Sequence, residues 1–190
     1  MFRCNITDDH PKRCSIEVIE RYSGDDQRDY YLHIAIAPTK NMNRIEWFLE
    51  KATEIGIDKV TPLITYHSER REIKTDRLNK VVVAALKQSL KSNMPVINEK
   101  QELASLIKMN FDGQKFIAYI DKDVNLELSK AYVPGNNALI LIGPEGDFSS
   151  EEVENAKELG FIPVSLGKSR LRTETAGIVA CNTISLLNNL

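Results

Sequence analysis

Apolar residues along this chain switch repeatedly between two periods, and each switch marks an element. The stretch CSIEVIE (14–20) alternates polar and apolar positions as a half-buried strand does, and the polar RYSGDDQRDY (21–30) after it reads as a domain junction. YYLHIAIAP then predicts a strand. NMNRIEWFLEKATEIG predicts a helix with Ile45, Phe48, Leu49, Ala52 and Ile55 on one face and Gly56 as its stop. KVTPLIT predicts a strand with Pro62 awkwardly inside it, and Thr75 is placed to cap a long helix whose apolar stripe is Leu78, Val81, Val82, Ala85, Leu86 and Leu90. A short helical piece around QELASLIK precedes the strand KFIAYI (115–120), and ALILI (138–142) predicts a second buried strand. Ser149 and Glu152 form a capping-box pair, opening a helix with Val153, Ala156 and Leu159 inward and Gly160 as its stop. FIPVSL predicts the last strand. A final helix begins near Glu174, with Ile178, Val179, Cys181, Ile184 and Leu187 apolar.

Strands alternating with helices predict an α/β domain on a mostly parallel sheet, because a parallel pair needs a long crossover and a helix supplies it. Two polar corners then attract notice, LIGPEGDFSSEE (141–152) and SLGKSRLRTETAG (165–177). Each follows a strand, contains glycine and runs into a helix, and ligands in open α/β sheets sit beyond the carboxyl ends of the strands. Gly143 and Gly146 lack a Cβ and Pro144 lacks an N–H, a combination that suits the edge of a flat heterocycle. Neither corner carries a phosphate-loop or dinucleotide fingerprint. In the second corner Arg172 and Glu174 flank Thr173 at the helix mouth, where Thr173 or Thr175 can cap the exposed amides.

Length and composition narrow the classes further. The 190 residues are 42% hydrophobic and 27% charged, globular values with enough chain for a sizeable core. No apolar run approaches the roughly 20 residues of a membrane helix, and MFRCNITDDH lacks the pattern of a signal peptide, so a cytoplasmic protein is expected. Three scattered cysteines and three scattered histidines argue for reduced thiols and no metal. The net charge of −2 does not announce a nucleic-acid binder, yet Arg70, Arg71, Lys74, Arg77, Lys80, Lys87 and Lys91 cluster, and Lys168, Arg170 and Arg172 crowd the second corner.

IGPEGDFSSEEVENAKELGF followed by VSLGKSRLRTETA closely resembles the ribosomal RNA small-subunit methyltransferase E family, a SPOUT-type branch with a trefoil-knotted α/β fold. RIEWFLEKATEIGIDKVTPL and ALKQSLKSNMPVI resemble its earlier units, so the likeness runs from about residue 30 to 190. The resemblance implies methyl transfer from S-adenosylmethionine to the N-3 nitrogen of one uridine in the 16S rRNA of the small ribosomal subunit, by a homodimer. It also implies that the C-terminal segment threads a loop, which periodicity could not show and general fold statistics oppose. Carried over by position, the cofactor pocket falls on Leu141, Ile142, Gly143, Glu145, Gly146, Ser165, Leu166, Gly167, Leu171, Arg172, Thr175 and Ala176.

For the chemistry, Arg172 is expected to stabilise the uracil anion and Glu174 or Glu145 to orient the base or relay its proton, while Arg70, Arg71, Lys74, Lys87, Lys91, Lys168 and Arg170 are expected on RNA. Ile178, Val179, Ile184 and Leu187 are expected at a dimer interface. Asp147 stands where the family usually has glycine, and Lys168 and Ser169 also depart from its pattern. Residues 1–24 resemble only the last strands of the family's N-terminal PUA-like RNA-binding β-barrel, with the methyltransferase domain over 25–190. Without the rest of that barrel, cofactor binding is expected to survive and RNA affinity to fall. Two alternatives remain at this point: a 2′-O-ribose methyltransferase of the same superfamily, and a non-catalytic RNA-binding module.

Overall fold

The computed structural model describes residues 2–22, 28–120 and 124–189. The middle of the expected junction, residues 23–27, and with it the 24/25 boundary, falls outside that set, while Arg21 belongs to β2. In chain order the elements are β1 (Phe2–Asp8), β2 (Ser15–Arg21), β3 (Leu32–Ile36), α1 (Met42–Ile55), β4 (Lys59–Ile64), α2 (Thr75–Ser89), β5 (Val96–Ile97) and β6 (Gln101–Glu102). They continue with α3 (Leu103–Leu106), β7 (Gln114–Ala118), α4 (Leu128–Ala131), β8 (Ala138–Ile142), α5 (Ser150–Glu158), β9 (Ile162–Val164) and α6 (Thr173–Asn188).

β1 and β2 pair antiparallel as a separate two-stranded sheet, with Phe2, Ile6, Ile16, Val18 and Ile19 exposed. All other strands are parallel, in the order β5-β4-β3-β8-β7-β9, with β6 beside the far half of β4. Pro62 is accommodated because β5 pairs with Lys59 and Val60 while β6 pairs with Leu63 and Ile64; the proline sits at the gap between the two outer pieces. Alternation along the strands then splits the core in two. Leu32, Ile34, Ile36, Ile140 and Ile142 face α1, α2 and α6, whereas Ala35, Leu139 and Leu141 face α3 and α5. Because the sheet is parallel, the ends of β3, β4, β7, β8 and β9 all emerge at one edge, where both polar corners lie.

Several expectations shift by a residue or a face. Lys74, not Thr75, precedes the first turn of α2, and no side chain caps it; the Thr75 hydroxyl donates instead to Glu99 Oε1 at 3.0 Å. Leu90 ends that helix in the left-handed region (φ 56°) and is 80% exposed, so it is not part of the buried stripe. Leu159 likewise ends α5 at the surface, while Ser149 and Glu152 make the expected capping box. Ile184 is fully buried against its own chain and drops out of any dimer surface, leaving Ile178, Val179 and Leu187 half-buried.

A polar chain crosses the buried interface of β3 and β4. Asn98 Nδ2 donates to Thr61 Oγ1 (2.9 Å), and the same hydroxyl shares a buried hydrogen bond with His33 Nε2 (2.8 Å). Burial, with Lys59 nearby, lowers the His33 pKa from 6.5 to about 4. The unfolded chain therefore binds one more proton than the native one between those values, and stability present above pH 6.5 is lost as pH falls toward 4. Urea titrations are expected to show His33→Gln losing about 3 kcal/mol less than the wild type across that window.

Candidate active site

The corner after β8 is built differently from its glycine spacing. Neither Gly143 nor Gly146 has a positive φ; that conformation falls on Asp147 (φ 61°), while Gly167 in the second corner has φ 115° with open space where a Cβ would stand. A Cβ at Gly143 would lie 3.1 Å from the Phe148 ring, and one at Gly146 3.1 Å from His67 Cβ, so a larger residue at either position would require its neighbour to give by a few tenths of an ångström. These two close approaches are therefore to the protein itself rather than to a ligand. Asp147 offsets its left-handed backbone with two local bonds: its carboxylate accepts from Phe148 N (2.8 Å) and from Ile120 N (3.2 Å) at the end of β7. Burial raises its pKa, an effect opposed by those amides and by Arg170 and His67.

The second corner hangs on the segment that leads into α4. Ser165 N donates to Leu126 O (2.8 Å), Leu128 N donates to Ser165 O (3.0 Å), and Gly167 N donates to Ser165 Oγ (3.2 Å). Arg172 is the N-cap of α6, with no side-chain cap, so the expected capping by Thr173 or Thr175 does not occur. The Thr173 hydroxyl instead crosses to the first corner and donates to Gly143 O at 3.1 Å, a buried bond 30 positions apart in sequence.

Between the corners lies a cavity of about 760 Å³, within the range of small-molecule sites. Of the expected pocket residues it is lined by Ile142, Gly143, Glu145, Ser165, Leu166, Gly167, Leu171, Arg172 and Ala176; Leu141 is buried beneath it, and Gly146 and Thr175 stand off it. Lys168 and Arg170, expected on RNA, also line it, and neither they nor Arg172 forms an ion pair among the described residues. Tyr119, Ile120, Asp147 and Glu127 were missed as lining. The first two were legible as the carboxyl end of β7, whereas Glu127 depends on a long-range bridge to Ser165 that no local pattern announces.

Glu174 does not line the cavity. It is 7% exposed, with Oε1 3.7 Å from Arg44 Nε on α1 and Oε2 without a partner among the described residues. The other basic group is dispersed. Arg70 and Arg71 sit in the loop after β4, Arg77 pairs with Glu46, and Lys74, Lys80, Lys87 and Lys91 are on or beside α2 with no ion pair among the described residues. Among the described residues, no set of His, Cys, Asp and Glu could hold a metal ion, and no helix is long and apolar enough to cross a membrane.

The sequence profile of the RNA methyltransferase domain matches residues 26–185. The chain is 30% identical over 177 residues, 88% of its length and 75% of the relative's, to the ribosomal RNA small subunit methyltransferase E of Mesomycoplasma hyopneumoniae. The chain belongs to the ribosomal RNA small subunit methyltransferase E family. Two solved structures extend the match to this family's fold. One, described as a "probable rRNA-methyltransferase" from Porphyromonas gingivalis, is 44% identical with a TM-score of 0.90, over 99% of this chain and 80% of that one. The other, the small subunit methyltransferase E of Neisseria gonorrhoeae bound to S-adenosyl methionine, is 25% identical with a TM-score of 0.86, over 98% and 78%.

The bond between the corners gives a direct test. Thr173→Val keeps the shape but leaves the buried Gly143 carbonyl without its donor, and is expected to lower unfolding free energy by about 1–2 kcal/mol in urea titrations. Thr173→Ser is expected to retain most of it.

Proposed function

We propose that this protein transfers a methyl group from S-adenosylmethionine to the N-3 nitrogen of one uridine in the 16S rRNA of the small ribosomal subunit. The observation that carries the proposal is the pairing of the two corners around one cavity through Thr173 and Gly143, in a chain of this family. The residues present suit the cofactor. Ile142, Leu166, Leu171 and Ala176 supply apolar surface for a flat ring, and acidic Glu127, Glu145 and Asp147 with basic Lys168, Arg170 and Arg172 supply both signs of charge for a zwitterionic tail. When bound, S-adenosylmethionine provides an electrophilic methyl carbon on a positively charged sulfur.

The chain's own groups then act on the uracil. Its imide nitrogen is a poor nucleophile until it loses its proton. Arg172, exposed on the cavity rim without an acid partner among the described residues, donates N–H bonds to the uracil oxygens and favours the anion. Glu145, also exposed on the rim, orients the base or accepts the N-3 proton. Glu174, buried against Arg44, anchors the first turn of α6 and with it the position of Arg172.

Three further parts belong to the same reading. The segment from Ser165 into α6 forms the trefoil knot, which brings corners distant in sequence into one site. β1 and β2 belong to a PUA-like RNA-binding unit, a reading supported by their exposed apolar side chains. The protein acts in the cytoplasm as a homodimer, through a surface that includes exposed Trp47 and Leu186 beside half-buried Ile178, Val179 and Leu187.

A methyl-transfer assay on small subunits lacking the modification, followed by nuclease digestion and mass spectrometry of the product, tests the proposal. Methyl on uridine N-3 is expected; methyl on a ribose oxygen, or no binding of S-adenosylmethionine in calorimetry, would overturn it. Arg172→Ala is expected to lower kcat by about 100-fold or more, in the range of losing one donor to a developing anion.

A further inference from the structure

The loop between β4 and α2 is fixed by groups from three other parts of the chain. Tyr66 N donates to Glu152 Oε1 at 2.8 Å, while Glu152 Oε2 accepts from Ser149 N in the capping box of α5. His67 Nδ1 lies 3.0 Å from the Asp147 carbonyl, which can only accept, so this nitrogen carries the ring proton. Arg70 Nη2 donates to Lys40 O at 2.9 Å, and Arg71 Nη2 to Thr65 O at 3.2 Å. A guanidinium bound to a carbonyl keeps its charge for another anion; the acids at this loop are Glu102, which forms a loose ion pair with Arg71 at 3.8 Å, Glu69, which pairs with Lys40, Glu72, which pairs with Lys100, and Glu152, which holds Tyr66 N.

The ring presented by this scaffold packs against almost nothing. Tyr66 is 74% exposed, more than any other large aromatic among the described residues, and its ring touches His67 edge-on at 5.0 Å. His67 in turn abuts Gly146 and Asp147, and the Asp147 side chain lines the cavity. An open aromatic ring on a tethered backbone is therefore linked through His67 and Asp147 to the cavity, with Arg70 and Arg71 on the same loop.

We propose that Tyr66 is a stacking platform for a base of the RNA substrate next to the one that enters the cavity, with Arg70 and Arg71 taking the adjacent phosphates. This rests on the RNA-methylating function above. A base can reach the cavity only after leaving its own stack, and an aromatic ring at the entrance replaces part of the stacking that its neighbour loses. Stacking on an aromatic tolerates any base, so this contact supplies affinity and position rather than sequence choice.

Fluorescence anisotropy with a labelled single-stranded, uridine-containing RNA at fixed salt tests it on the wild type, Tyr66→Ala and Tyr66→Phe. The alanine variant is expected to bind about 5- to 150-fold more weakly, which corresponds to stacking of about 1–3 kcal/mol per base. The phenylalanine variant is expected to stay near the wild type, and both variants should keep the wild-type melting temperature and S-adenosylmethionine affinity. On small subunits the alanine substitution should raise KM for RNA with little effect on kcat. An RNA Kd for Tyr66→Ala within twofold of the wild type, or an equal loss in Tyr66→Phe, would overturn the platform. Because anisotropy does not depend on turnover, failure of the wild type to methylate would count against the function above, while the comparison among variants would still decide the role of Tyr66.

Discussion

The close seat of α6 on the sheet is the constraint from which the site follows. Gly177 lies so near β3 and α1 that a Cβ would stand 2.7 Å from Phe48 Cε2 and 2.9 Å from Ile36 Cδ1. Interiors packed to this density do not yield a methyl group's width without strain. One turn earlier on the same helix, Thr173 reaches the carbonyl of Gly143, and Arg172 is carried to the rim of the cavity. A helix held even slightly farther out would break the 3.1 Å bond and separate the two corners. The buried thiol of Cys181 belongs to the same seat, close to the carbonyls of Ala52 and Gly56, and burial pushes its pKa up to about 12, so it serves packing rather than chemistry.

The first corner obeys a complementary logic. Its turn needs one residue in the left-handed region, and Asp147 takes that role at a cost in backbone strain. Glycine would meet the conformational demand alone, but it could not reach Ile120 and Phe148 together. The aspartate thus ties the end of β7 to the corner after β8, and residues of both line the cavity. The left-handed aspartate leaves the start of α5 intact, since the capping box at Ser149 and Glu152 is complete.

Much of this was legible before any coordinates. The switch between strand and helix periods located the main elements, and ALILI matched β8 residue for residue, because fully buried strands of a parallel sheet are continuous apolar runs. Errors gathered where an apolar residue lay at an element's end: Leu90 and Leu159 continue a helical stripe on paper but fall after the last buried turn. The two corners were visible from glycine spacing and polar composition, but the direction of each side chain was not. Thr173 looked like a cap and became a tie between corners; Glu174 looked catalytic and lies buried against Arg44. Both outcomes depend on what stands across from the helix, which residue spacing along one chain does not encode. Tyr66 gave no signal at all, since only the bonds that fix its loop from distant elements make its exposure meaningful.

The central claim is that the seat of α6 holds the two corners together, and Gly177→Ala tests it most directly. The account predicts a loss of about 1–3 kcal/mol in unfolding free energy, typical of overpacking, together with weaker S-adenosylmethionine binding by calorimetry at a temperature where both proteins are fully folded. A variant that is destabilised yet binds S-adenosylmethionine as tightly as the wild type would contradict the account, because the cavity would then form without the close approach of α6.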